Sequence, residues 1–203
     1  MAQTSMHTDP RTGEILNASV YIHHNFLSLL YSGRCTQTMA SDPTARTLTL
    51  SEKQMGELLK VGIAQQVGRC LGLTDNMGAS YHYPVDSLRS AEFTRQHGLT
   101  ASVMDNIMCN YIAQPEDVEK GAVLVQPGIG PYDYFPIRYL YAPVVADKPE
   151  KELVTLNKWV EDAYTAHEYH YGQDRSLCLY DRLHYIGISV MIRLKQQIIR
   201  FKI

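Results

Sequence analysis

Gln65, Gln66, Arg69 and Asp75 are the side chains whose types and spacing bear most directly on chemistry. On a helix, residues four apart share a face, roughly 40° apart around the axis, so Gln65 and Arg69 are directed alike. Gly72 then allows the chain to turn back and carry Asp75 toward that face. A face built this way from imidazoles and carboxylates would hold a metal ion and its attacking water. These residue types do not. A carboxamide oxygen is a weak donor to a metal, and arginine is a permanent cation with no acceptor. Gln66 cannot act as a general base at any working pH. Two placements of Arg69 stay open at this point: paired with Asp75 and hydrogen-bonded to Gln65 or Gln66, or directed into solvent.

Other reactive types are weaker candidates. His167 and His170 are three apart, as metal ligands can be, but histidines among Glu and Tyr are more often plain surface residues. His23 and His24 follow a strand-like segment at what would be a cleft rim, where a core or surface role is the simpler expectation. His82 has only Asp75 near it as a fellow ligand. Cys70 lies inside the same segment with no nameable base, and reads as a small buried thiol. The fourteen tyrosines suit core packing as well as a binding surface.

Composition narrows the classes. With 45% hydrophobic and 20% charged residues the chain can bury a core, and 203 residues make one domain or one with a short appendage. A net charge of −2 gives no basic footprint for nucleic acid. Cys35, Cys70, Cys109 and Cys178 are far apart, without a CxxC pair, so they suggest neither a zinc knot nor a disulfide scaffold and leave the compartment open. The first residues are polar, without a signal-peptide pattern. The longest apolar run, Ile186 to Ile192, is too short to span a bilayer.

The elements expected to position these residues follow from pattern. Residues 15–22 read as a strand after a turn-like Asp-Pro-Arg-Thr-Gly, and His23 to Leu30 as a short helix. Gly33 to Leu50 reads as a loop. Glu52 to Leu71 is the clearest helix: Ser51 and Gln54 form a capping box, and Gly72 stops it. Met55, Leu59, Ile63, Val67 and Leu71 recur at every fourth place as an expected buried stripe. Ala79 to His97 mixes turns with short helical pieces, and Gly121 to Pro131 is irregular. Tyr132 to Tyr141 is expected to pack inward, with Pro136 limiting its helix. Two more helices are expected over Glu152 to Tyr169 and Leu177 to Ile203.

The segment Gln65-Gln-Val-Gly-Arg-Cys-Leu-Gly-Leu-Thr-Asp75 resembles the metzincin signature H-E-x-x-H-x-x-G-x-x-H. Gln65, Arg69 and Asp75 fall at the three ligand places, Gln66 at the catalytic glutamate and Gly72 at the glycine. Ala101-Ser-Val-Met104-Asp105 resembles the Met-turn of those enzymes, although Met104 also suits an ordinary core position. Asp9 to Leu16, Tyr83 to Arg89, Asn110 to Pro115 and Gly128 to Tyr134 are similar to segments of large bacterial zinc-dependent metzincin-like proteases, in the same order. The resemblance implies an α+β, mainly helical, zincin-like core over residues 1–145, with a small, reduced sheet and a C-terminal helical segment over 146–203. Active relatives would hold zinc and are expected to be exported; here no metal and no other cofactor is expected, nor membrane or nucleic-acid partners. The expected function is a pseudo-protease that retains a peptide or protein ligand in its cleft. An active peptidase with atypical ligands and a structural or decayed fragment of a larger protease are the alternatives. Few residues precede the strand at 15–22, so its edge is expected to pair with a second copy or a missing domain.

Overall fold

The chain reverses first at Asp9–Gly13. The Asp9 carboxylate accepts from the Arg11 amide at 2.8 Å, the Gly13 amide donates to the Asp9 carbonyl at 2.8 Å, and Gly13 takes φ +76°, which brings the Glu14 carbonyl back to the Asp9 amide at 2.8 Å. That turn joins two antiparallel strands, β1 (Ala2–Thr8) and β2 (Ile15–Ile22), paired from Ala2 opposite Ile22 to His7 opposite Asn17. Among the described residues six helices follow: α1 (Asn25–Thr38), α2 (Glu52–Cys70), α3 (Ala91–His97), α4 (Pro115–Glu119), α5 (Pro131–Tyr141) and α6 (Pro149–Thr165). Single 3-10 turns lie at Pro43–Arg46, Met77–Tyr81 and Ser87–Arg89. This is a computed structural model, and it describes residues 2–146, 149–165 and 171–172. The fold class is α+β, mainly helical, with a small sheet.

Helix α2 is the axis of the molecule. Ser51 Oγ accepts from the Gln54 amide, and the Gln54 side chain accepts in return from the Ser51 amide at 3.1 Å. Two orphan donors of the first turn are thereby satisfied. At the other end Leu73 donates to the Gly68 carbonyl and Gly72 to Arg69, both at 3.0 Å, while Gly72 takes φ +86°. That double closure is a Schellman motif, and a β-carbon at Gly72 would strain it.

The buried face of α2 differs from the expected stripe. Leu58, Val61, Gly62, Gln66 and Gly68 are buried, whereas Ile63, Val67 and Leu71 are exposed. Four residues are slightly more than one turn, so a row with that spacing winds around the helix and leaves the core within a few steps. Leu58 and Val61 pack with Phe26 and Leu30 of α1 and with Cys109 and Val125. Gly62 makes the α1–α2 approach possible: a β-carbon there would lie 2.5 Å from the Phe26 ring. A second cluster (Ala79, Tyr83, Leu88, Ala101, Ile112 and Tyr132) lies under the loops that follow α2.

Three further expectations need correction. One edge of the 15–22 strand, expected to be left for a second copy or a missing domain because so few residues precede it, is taken by β1, which forms because pairing with β2 supplies the ladder that local propensity does not. The helix after the hairpin runs on to Thr38 instead of giving way to loop at Gly33. Residues 131–141 form a full helix with Pro136 inside it, and Tyr134, Leu140 and Tyr141 are exposed. The helix expected after Glu152 is α6, which carries Trp159 under the Arg138 guanidinium at 4.7 Å. The helix expected over Leu177 to Ile203 lies outside the described residues.

Leu58 is 1% exposed and Val67 44%. Leu58→Ala should therefore cost about 2–5 kcal/mol, and Val67→Ser less than about 0.5 kcal/mol. Urea unfolding of the full chain compares the two. Equal losses would restore the original stripe.

Candidate functional site

The last two turns of α2 deliver Gln65, Gln66 and Arg69, and the turn at Gly72 delivers Asp75 to the same face. Arg69 Nη2 donates to Asp75 Oδ1 at 2.6 Å, with the side chains 35% and 45% exposed. The paired placement is thus the one taken. The two glutamines have other partners. Gln65 Nε2 donates to the main-chain carbonyl of Asp105 at 2.7 Å. Gln66 is buried, and its Oε1 accepts from Thr4 Oγ1 of β1 at 2.8 Å. The expected bond from Arg69 to a glutamine is absent.

Met104 lies directly beneath this helix. It is 1% exposed, and a β-carbon on Gly68 would collide with its Sδ. Its carbonyl accepts from the Asn76 amide at 3.0 Å, so the same turn supports both α2 and the chain just after Asp75. The turn is held in place by a carboxylate. Asp133, 4% exposed, accepts from Ser102 Oγ at 2.5 Å, the Val103 amide at 2.8 Å and the Gly130 amide at 2.7 Å. Those bonds tie the start of α5 to the loop carrying Met104.

Asp105 is a second buried carboxylate. It accepts from Ser80 Oγ at 2.5 Å and Thr100 Oγ1 at 2.6 Å. Burial pushes its pKa up to about 6, against the pull of those two hydroxyls. Downstream chain also reaches the site. Gly172 donates to Asn76 Oδ1 at 2.8 Å and accepts from the Gly78 amide at 3.0 Å. Tyr171 Oη and Thr74 Oγ1 are 2.7 Å apart, and the Tyr171 ring stacks on Tyr132 at 6.3 Å.

The remaining candidates stand apart. His23 and His24 are exposed at the head of α1, and the His82 ring lies 4.9 Å from Tyr83. Cys35, Cys70 and Cys109 are free thiols, with Cys70 half-buried. His167, His170 and Cys178 lie outside the described residues. Among the described residues no three His, Cys, Asp or Glu side chains converge to hold a metal ion, and no helix is long and apolar enough to cross a membrane. No motif spacing singles out Asp133, Asp105 or Asn76, although the first two fall in segments that carry the resemblance. The only signal for Asp133 was its place in the first turn of a helix starting at Gly-Pro, where a carboxylate meets free amides.

A family model described as Met-zincin matches residues 47–184, a span that contains Gln65, Gln66, Arg69, Asp75, Met104 and Asp133. No curated protein and no solved structure matches the chain.

The sign of the Asp105 effect is set by its raised pKa. The folded chain holds the proton up to about pH 6, the unfolded chain only to about pH 3.9. The stability it contributes is full below the lower value, is lost as pH rises through the interval, and stays lost above it. Asp105→Asn should remove a pH-dependent loss of about 2–3 kcal/mol. Chemical unfolding of both proteins from pH 4 to 7 reads the difference; parallel curves would contradict the assignment.

Proposed function

The chain belongs to the Met-zincin family, and from that premise we propose that it is a non-catalytic relative of a zinc-dependent metallopeptidase that holds an extended peptide or protein segment without cleaving it. The observation that carries the reading is the ion pair between Arg69 and Asp75, at the places where the family signature puts two metal ligands.

Zinc takes imidazole nitrogen, thiolate or carboxylate oxygen. At the first ligand place, the Gln65 amide is engaged through Nε2 with the Asp105 carbonyl. At the second stands a fixed cation, which repels a dication. At the third is one carboxylate, already bonded to that cation. The residues present do not fit the ion. Gln66, at the place of the general base, is a carboxamide spent on Thr4. Nothing in this set generates hydroxide from water at neutral pH.

Peptide binding needs none of that chemistry. Among the described residues the sheet has two strands, so each has an outer edge free to accept another strand. Met6, Leu16, Tyr21 and Ile22 are exposed on this hairpin. Strand addition takes affinity from main-chain hydrogen bonds and selectivity from alternate side chains.

Native protein dialysed against zinc should retain none and should leave a peptidase substrate intact, while an extended apolar peptide binds. The variant Gln65→His, Gln66→Glu, Arg69→His and Asp75→His should take up zinc stoichiometrically if the scaffold beneath is intact. Tight zinc with turnover in the native chain would instead mark an active peptidase with atypical ligands. An absence of peptide binding would point to a structural role.

A further inference from the structure

The opposite end of α2 borders a separate cavity. The first turns of the helix form one wall of a groove of about 1040 Å³, and residues 121–127 form the other. Lys60 ties the two walls at one point, its Nζ donating to the Pro127 carbonyl at 2.5 Å. Arg34 of α1, Lys53 and Arg95 also line the groove, and Glu57 is the one acidic residue in that lining. Leu50, Val123 and Val125 give it an apolar side.

Arg34 is 5% exposed. Its Nη2 donates to Asp42 Oδ2 at 2.6 Å, so the charge is balanced. Its Nε and Nη1 are buried without a hydrogen-bond partner. Arg34 also faces the Cys109 thiol, whose pKa burial raises against the pull of that guanidinium, but a thiol is a weak acceptor. Buried guanidinium donors left unmade are costly. Guanidinium N–H groups pair well with the oxygens of a carboxylate or phosphate. Lys53 and Arg95 add positive charge beside it, and an oxyanion would satisfy what Asp42 leaves open.

We propose that this groove binds a small oxyanion ligand, a carboxylate or phosphate ester whose charged end reaches Arg34 between Lys53 and Arg95 and whose apolar part lies against Leu50 and Val125. The site shares no residue with the Arg69–Asp75 region and does not depend on the fate of zinc there.

Inorganic phosphate and citrate serve as probes on the full chain, with sodium chloride at equal ionic strength as reference. Either probe at about ten times its dissociation constant should raise the melting temperature by about 3–5 °C. The stronger of the two identifies which oxyanion the groove takes. Lys53→Glu and Arg95→Glu change exposed positions and should melt like the native chain in chloride, while binding the probe about tenfold or more weakly. Arg34→Lys keeps the charge, loses the Nε and Nη1 donors and should weaken binding similarly; if it does not fold, the two surface variants decide. No shift with either probe, or undiminished binding by both surface variants, would overturn the proposal.

Discussion

A single buried carboxylate sets the geometry of the Met104 turn beneath helix α2. Asp133 draws the Ser102 hydroxyl and the amides of Val103 and Gly130 onto its two oxygens. Burying an ionisable group without such partners costs several kcal/mol, so the bonds and the burial require each other. Close contact follows from them. A β-carbon on Gly130 would overlap the backbone of Ala101 and Ser102, and the Tyr132 amide donates to the Ala101 carbonyl at 3.0 Å. With residues 101–103 fixed, Met104 has one place to go, under Gly68. Its carbonyl then meets Asn76.

Two buried carboxylates lie near the same turn. Asp133 meets two main-chain amides, fixed dipoles that need no reorganisation. Asp105 meets two hydroxyls and the Asn106 amide, and is buried enough that its acid form is favoured to about pH 6. Its main-chain carbonyl, meanwhile, holds Gln65. Gln65 and Gln66 are accordingly both used in packing α2, one onto the Met104 turn and one onto β1. The carboxamides at these places serve as connectors between elements far apart in sequence.

What could be read from the sequence divides along the same line. The limits of α2 depend on Ser51, Gln54 and Gly72, whose signals lie within a turn of their effects, and the helix appears with those limits. The hairpin turn at Asp9–Gly13 is local in the same way. The strand β1 is not: Ala2–Thr8 has little intrinsic strand character and becomes one through β2 and through Thr4 bonding to Gln66. The direction of α2's buried face was also invisible, since Leu58 and Val61 gain their burial from Phe26 and Leu30 of another helix. At the site, the four motif places could be named from spacing. Asp133 and Asn76 act across long separations and leave no periodic trace.

Arg69 sits in the last turn of α2, where the unsatisfied carbonyl ends favour a cation, and its partner follows after one tight turn. Neither needs the distant supports to meet. As a partly exposed pair it is worth no more than about 1 kcal/mol, too little to hold the fold. The fold is held from beneath, by Met104 against Gly68 and by Asp133 behind it. Substitutions at the four motif places can therefore change the chemistry of this face with small effect on the frame, provided Gly68 and Gly72 stay, because a side chain at the first displaces Met104 and at the second forbids the turn.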